Sequence, residues 1–530
     1  MKKAIKYLCP TVTLLFCLFL LGSCGRKQTI SAGGNSITLW VVTEASKSDG
    51  MNLQAEIIAK RMEETYENLT VKLDILPRKE QEREVYLKQL RAQIMVGKGP
   101  DVYLLPTGDT LTIRDSQIYD TQIQIAPLFP DIELAMRNGV FTDIQKYYAE
   151  DLTLETDKLK KEIMDAGVIG ECRYVLPLRF TVPVLLTNQE KWEKLGLSQK
   201  LADSNITALT ETMLSSRNGK QDICGIQLPT DLSLLPTPLD YEKGEVLLSA
   251  EEIAGYMRLY QSWYAPAAQS LQAYIDKGES IINSNPYWIE YTENTGRRFT
   301  LSLDRLNEIW VYLSDGIYWN TLGLPLFTSN LADTLDTLAI ATVAKEEITM
   351  FPLLATDGSL TASVTYFGAV GNNCKNPTLA YHFLREFLTE EFQWDIYRPR
   401  IEKIRGWGQE HEPQNKGQVE DSWPVRVIGS VAYLWDNRQY QESNYFNHGG
   451  SSITRQIKFR NANTVLTDTD LPALSWPIDV VRFPVILGPE NSLEHALSLL
   501  NDENGNPTDV DIDALAEQVY LALWWHIGEG

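Results

Sequence analysis

The chain is short of sulfur, imidazole and positive charge. Of its six cysteines, Cys9, Cys17 and Cys24 crowd the N-terminus, which leaves Cys172, Cys224 and Cys374 far apart. An odd number with no CxxC pair argues against a disulfide framework and against a zinc site, so buried thiols are expected. Only five histidines occur, His382, His411, His448, His495 and His526, too few and too scattered for most metal or triad chemistry. GxSxG, HExxH, P-loop and GxGxxG patterns are all missing, which removes the commonest signatures of hydrolases, metalloproteases and nucleotide-binding enzymes. The 48 Lys and Arg are outnumbered by 70 Asp and Glu, for a formal net charge of −22. Such a surface repels phosphate backbones and anionic headgroups, which argues against nucleic acid as a partner and against a membrane contact other than through lipid.

What is present begins at the N-terminus. A cationic stretch, MKKAIK, is followed by an apolar run from Tyr7 to Leu21 and then by Gly22, Ser23 and Cys24. That is the order of a secretory signal, with an apolar core too short for a comfortable bilayer span. Leu21-Gly22-Ser23-Cys24 resembles the bacterial lipobox, which implies a signal over 1–23, a diacylated Cys24 and a flexible tether over 24–36. Two acyl chains suffice for stable anchoring where one does not. The expected location is therefore the outer face of the cell membrane, reached through lipid alone.

Length and composition, 44% hydrophobic and 22% charged, are those of a globular protein with at least two domains. Ile37 to Thr43 reads as a buried strand, and Leu53, Ile57, Ile58 and Met62 recur at helical spacing. Val71 to Ile75 alternates as a strand. Leu87, Leu90 and Ile94 mark a second helix, and Asp101 to Leu105 a third strand. Strand and helix in alternation imply βαβ units and a parallel sheet, with ligands beyond the carboxyl ends of its strands. Thr43 to Gly50 and Pro106 to Asp109 occupy those ends. The C-terminal helix, Ile512 to Trp525, is amphipathic, and its Trp524-Trp525 pair is expected in the core.

Four segments then fall in a telling order: VGKGPDVYLLPTGD at 96–109, GVFTDIQKYY at 139–148, ECRYVLPLRFTVPVLLTNQEKWEKLG at 171–196, and the stretch from Met350 to Gln393. In the first, Gly97 and Gly99 end a helix, Pro100 stops its continuation and Asp101 starts a strand. Together, behind a lipobox, they resemble the family 1 extracellular solute-binding proteins of ABC importers. The resemblance covers 37–200 and 345–395; residues 201–345 and 396–505 depart from it and read as insertions. It implies an α/β, two-lobe, type II periplasmic-binding-protein-like fold, each lobe a mixed sheet flanked by helices, with a hinge between them. The expected division is a first lobe over 37–178 with a return segment near 320–355, and a second lobe over 179–319 and 356–530. Crossings are expected near Leu176–Val182 and Met350–Thr361, with a further one near Trp319–Asn330.

The resemblance further implies closure of both lobes on a small solute, with no cofactor, no metal and no catalysis, and a monomer that works with ABC permease subunits. Carbohydrate is the expected solute class, since aromatic faces take the apolar side of a sugar ring while a few polar groups take its hydroxyls. The 13 Trp and 24 Tyr permit that scheme. Candidate ligand contacts are Thr43, Glu44 and Lys47 after the first strand, Thr107 and Asp109 after the third, and Arg179, Phe180 and Thr181 at the crossover. Trp319, Tyr366, Phe367 and Trp476 are the candidate platforms expected from the second lobe. Arg179 could pair with an anionic solute through its fork. Two alternatives stay open: a surface glycan-binding or sensor lipoprotein without its own importer, and an extracellular glycosidase built on a pair of carboxylates.

Overall fold

The computed structural model describes residues 36–44, 50–108, 110–114, 120–188, 204–216, 228–263, 326–330, 348–389, 392, 423–424, 444–445, 455–456, 476–502 and 506–528. Among them the order is β1 (Ile37–Thr43), α1 (Gly50–Thr65), β2 (Leu69–Ile75), α2 (Glu80–Met95) and β3 (Val102–Pro106). A hairpin, β4 (Thr110–Arg114) and β5 (Asp120–Gln124), precedes α3 (Ile132–Arg137), β6 (Val175–Thr181), β7 (Pro183–Asn188) and α4 (Ile206–Ser216). Then come β8 (Leu326–Asn330), β9 (Ile348–Pro352), β10 (Thr361–Val370), α5 (Pro377–Glu386), β11 (Trp423–Pro424), β12 (Val480–Arg482), α6 (Leu493–Ser498) and α7 (Ile512–Gly528). Among the described residues no helix is long and apolar enough to cross a membrane.

The first sheet runs β11–β6–β10–β3–β1–β2, with β12 also on β10. β1 pairs in parallel with β2 and β3, as the βαβ reading requires, whereas β10 enters antiparallel between β3 and β6. Helices cover both faces. On one face, α1 buries Met51, Ala55, Ile58, Ala59 and Met62, and α5 buries Leu379, Ala380, Phe383 and Leu384, against Leu39, Val41, Leu176 and Leu178. Ile57 is only half-buried while Ala55 and Ala59 are buried, so the buried face is shifted from the one that the large apolar residues suggested. On the other face, Leu87, Leu90, Ile132 and Met136 pack on Val42, Tyr103, Leu105 and Phe367.

Local chemistry explains how α2 turns into β3. Gly97 has φ +68°, and the helix ends with Lys98 N donating to Gln93 O at 2.8 Å and Gly97 N to Ile94 O at 3.0 Å, a Schellman pair of bonds. Pro100 follows, and the Asp101 carboxylate accepts from Trp40 N at 2.9 Å, which ties the start of β3 to β1.

The second sheet is antiparallel, in the order β8–β7–β9. Its lobe has a separate core in which Ile206, Leu209, Ile253, Met257, Leu497 and Leu523 meet. A single residue, Val182, separates β6 in the first sheet from β7 in the second, and Leu353 N donates to Pro183 O at 3.0 Å as the chain returns. A third passage follows β12, where Phe483 belongs to the first lobe's core and Val485 and Leu487 pack on the second's.

The expected division of the chain is corrected on three points. Arg179, Phe180 and Thr181 lie in β6 and belong to the first lobe. Leu326–Asn330 and Ile348–Pro352, expected to return to the first lobe, both pair with β7 in the second. Thr361–Val370 and Pro377–Glu386, expected in the second, are the centre and cover of the first. The crossings near Val182 and between Pro352 and Thr361 are where the sequence put them; no change of sheet occurs within Leu326–Asn330. A buried strand reads the same in either sheet, so pattern marked the crossings without saying which side each segment joins.

Trp524 and Trp525 are also corrected. α7 packs through Ala516, Val519 and Leu523, and the two tryptophans face away, 53% and 61% exposed. Cys172 and Cys374 are half-buried free thiols, with burial pushing Cys374 up to about 12; Cys224, with Cys24 and the whole signal and tether, lies outside the described residues.

A Cβ on Gly371 would stand 2.2 Å from the Pro100 carbonyl oxygen, at the point where β10 ends against the start of β3. Gly371→Ala should therefore destabilise the protein by about 1–3 kcal/mol, the range for overpacking a tight site, whereas Gly97→Ala should cost about 1–2 kcal/mol for its left-handed backbone. Urea denaturation of the two variants against the parent checks both.

Candidate functional site

The carboxyl ends of β1, β3 and β6 converge where the chain leaves the first lobe, the position at which an open α/β sheet holds ligands. At the end of β1, Thr43 is fully buried and its hydroxyl donates to Asn52 Oδ1 at 2.6 Å, while Asn52 Nδ2 donates to Glu44 O. Glu44 is buried as well, and its carboxylate is gripped by Arg83 through two parallel bonds, NH1 to Oε1 at 2.7 Å and NH2 to Oε2 at 2.9 Å. Arg83 also donates to Ala126 O at 2.7 Å and to Pro77 O at 3.1 Å. The side chains of this pair are each 2% exposed. Glu44, expected to meet solute, is instead the buried anion that fastens α2 and the segment before α3 to the end of β1. Sequence could not show this, because a glutamate after a strand looks the same whether its partner is solvent or an arginine 39 residues away.

At the end of β3, the Thr107 hydroxyl donates to Val364 O at 2.5 Å and its amide to Thr365 O at 3.1 Å. Thr107 is thus a clamp that ends the β3–β10 ladder. Opposite, the β10–β6 pairing slips between Val364 and Tyr366, leaving Thr365 as an extra residue; such bulges re-aim side chains at strand ends. Phe180 and Phe367 are fully buried and Tyr366 is 2% exposed, so all three are core residues and present no open ring face. Arg179 is buried in β6 with its guanidinium 5.6 Å from the Tyr366 ring centroid, a cation–π contact. Trp476 is half-buried and packs on the first lobe's core. Lys47, Asp109 and Trp319 lie outside the described residues.

Two hydroxyls at this corner are different in kind. Thr181 Oγ1 and Thr365 Oγ1 are buried and have no hydrogen-bond partner among the described residues. Buried polar atoms are nearly always paired, with protein or with ordered water, so such hydroxyls call for an explanation. Thr181 was a candidate from sequence. Thr365 was missed, and its signal lies in the bulge, which no residue pattern announces.

The Glu44–Arg83 pair makes a sharp prediction. Glu44→Gln leaves a buried guanidinium without its counter-charge and should cost about 3–5 kcal/mol, while the double change Glu44→Leu with Arg83→Met should recover part of that loss, since apolar replacement of a whole pair is often tolerated. Denaturant midpoints of the single and double variants provide the measurement.

No protein-family model and no curated protein sequence matches the chain. Solved structures resemble it. A periplasmic oligogalacturonide binding protein from Yersinia enterocolitica is 12% identical, with 93% of this chain and 100% of that one covered at a TM-score of 0.50. An extracellular solute-binding protein family 1 from Alicyclobacillus acidocaldarius is 10% identical over 93% of this chain and 99% of that one, at a TM-score of 0.47. The galacto-N-biose-/lacto-N-biose I-binding protein of an ABC transporter from Bifidobacterium longum is 12% identical over 94% and 98%, at 0.44. At such identities the likeness to the Yersinia protein speaks for the fold alone, and that fold is the two-lobe, type II periplasmic-binding-protein fold.

Proposed function

We propose that the protein is a lipid-anchored extracellular receptor that captures a small solute, with carbohydrate the favoured class, by closing its two lobes, and delivers it to an ABC importer. The observation that carries the reading is the meeting of two lobes at a corner where the strand ends of β3, β6 and β10 hold two buried hydroxyls with no partner among the described residues. A binder works by population shift: solute contacts made with both lobes at once favour the closed arrangement. The order of the four sequence segments behind the lipobox supports the same reading. The lipid on Cys24 would keep the receptor at the outer face of the membrane, where permease subunits could meet it.

Arg179, Thr181 and Thr365 are the groups of the first lobe assigned to solute. Arg179 is held in the sheet, so its replacement would disturb packing as well as binding. The hydroxyls offer a cleaner test. Thr181→Val and Thr365→Val remove a hydroxyl that has no partner among the described residues, and should leave thermal stability unchanged or raised. Each should weaken solute binding about 2- to 12-fold, the equivalent of one ordinary hydrogen bond of about 0.5–1.5 kcal/mol.

The solute itself is found by a thermal-shift screen of the full-length protein in detergent against mono- and oligosaccharides, uronic-acid oligomers, sugar phosphates, amino acids and peptides. A ligand at 100 times its Kd adds about 2.7 kcal/mol to the folded state. Hits among neutral sugars would support a carbohydrate receptor and hits confined to anions would point to Arg179, while silence across the panel would sink the carbohydrate reading. Anchoring is read separately: Cys24→Ser should lose the acyl label and no longer be processed to the mature lipoprotein. Processing that continues unchanged would reject the lipobox.

A further inference from the structure

Away from the crossings, the two lobes meet side chain to side chain at Asp131. This residue starts α3 in the first lobe, where its Oδ1 accepts from Leu134 N at 2.8 Å, the bond of a helix N-cap. Its other oxygen faces the second lobe. Oδ2 accepts from the Tyr241 hydroxyl at 2.7 Å, and His526 Nε2, in the last turn of α7, stands 2.8 Å from the same atom. The ring N–H of His526 is not aimed along that line, so the histidine contact is one of charge when the imidazole is protonated rather than an aligned hydrogen bond. The seam is closed to water: the side chains of Asp131 and His526 are 8% and 12% exposed.

The surrounding residues hold the geometry. Arg137, one turn beyond the first-lobe cap, pairs with Glu133 at 3.0 Å and places its guanidinium 5.8 Å from the centroid of the Tyr241 ring. Tyr241 itself follows directly on Leu239–Asp240, which pairs with Glu245–Val246, and α7 lies against the latter. Beside this contact a polar groove of about 390 Å³ runs between the lobes, with Ile169 and Gly170 on one side and Asp240 and Leu247 on the other. Burial by itself would raise the Asp131 pKa, but the proximity of His526 and the bonds from Leu134 N and Tyr241 outweigh it and hold the carboxyl below its ordinary value. Glu133, on the same helix, is raised by burial despite Arg137. Asp131 is therefore the carboxylate that the seam keeps ionised.

We propose that Asp131, Tyr241 and His526 form an interlobe latch, which holds the lobes at this separation and must release before they move apart. Each lobe supplies half of it, and neither half is satisfied alone. Parting the lobes would leave the Tyr241 hydroxyl without its acceptor, take the Asp131 carboxylate away from His526 and return it to solvent, so the latch sets a threshold for lobe motion. The inference depends on the two-lobe fold and not on any solute.

Hydrogen exchange of the full-length protein without ligand tests it. Tyr241→Phe removes one hydroxyl from the second lobe and keeps the ring beneath Arg137. As a latch, its loss should speed exchange about tenfold on both sides of the seam: at 131–140 and 168–170 in the first lobe, and at 239–247 and the last turn of α7 in the second. Acceleration confined to 239–247, or none, would reduce Tyr241 to a local bond and overturn the proposal. Asp131→Asn is the companion variant, since asparagine still caps Leu134 N. It should give the same two-sided pattern, whereas acceleration limited to 131–138 would mean simple fraying of α3 and would also overturn the latch. A failed solute screen with an intact two-sided response would leave the latch standing and remove only the carbohydrate reading.

Discussion

Strand β10 is the constraint on which the rest of the structure depends. It inserts antiparallel between β3 and β6 and carries ten residues buried on nearly every side. Without it the parallel β2–β1–β3 unit would end in an open edge, with β6 left without its neighbour. Its arrival from far along the chain obliges the polypeptide to leave the first lobe after β6, build the second, and come back. The crossings, the clamp at Thr107 and the bulge at Thr365 all follow from that return, because β10 must pair with two strands that end at different points.

The corner where these strands end combines two kinds of polar residue. Thr43, Glu44 and Thr107 have their partners within the protein and serve to fix the loops that carry them. Thr181 and Thr365 have buried hydroxyls with no partner among the described residues. The proposed receptor role would need both: a stiff frame in which buried polar atoms are paired, and a few groups whose pairing is left for a ligand, since free energy gained on closure must come from contacts the open protein does not already make. The seam at Asp131 adds a third element, a carboxylate shared between lobes whose satisfaction depends on how far apart they stand.

Much of the fold could be read before the structure. Alternation of strand and helix from Ile37 to Leu105 gave the parallel unit, the GKGPD turn gave the end of α2, and the order of four segments gave two lobes and two of the crossings. The corrections share a cause. Glu44 was singled out by its place after a strand, Phe180 by its place at the crossover, and Tyr366 and Phe367 as aromatic platforms of the second lobe, but such positions do not say whether a side chain faces a pocket or a packed core, or which lobe it joins. Asp131, Tyr241 and His526 were not singled out at all, for they stand 110 residues and more apart and none sits in a motif.

The sequence by itself determined the local elements and their order, because hydrophobic period, turn glycines and caps act over a few residues and are written in contiguous stretches. It also determined an acidic, cysteine-poor chain with a lipobox-like start. Only the tertiary structure decided which sheet each returning strand joins, that Glu44 answers Arg83, that the tryptophans of α7 face outward, and that one carboxylate links the lobes. Those outcomes depend on pairings between distant segments, and the energy of such a pairing belongs to the two surfaces together rather than to either stretch of residues alone.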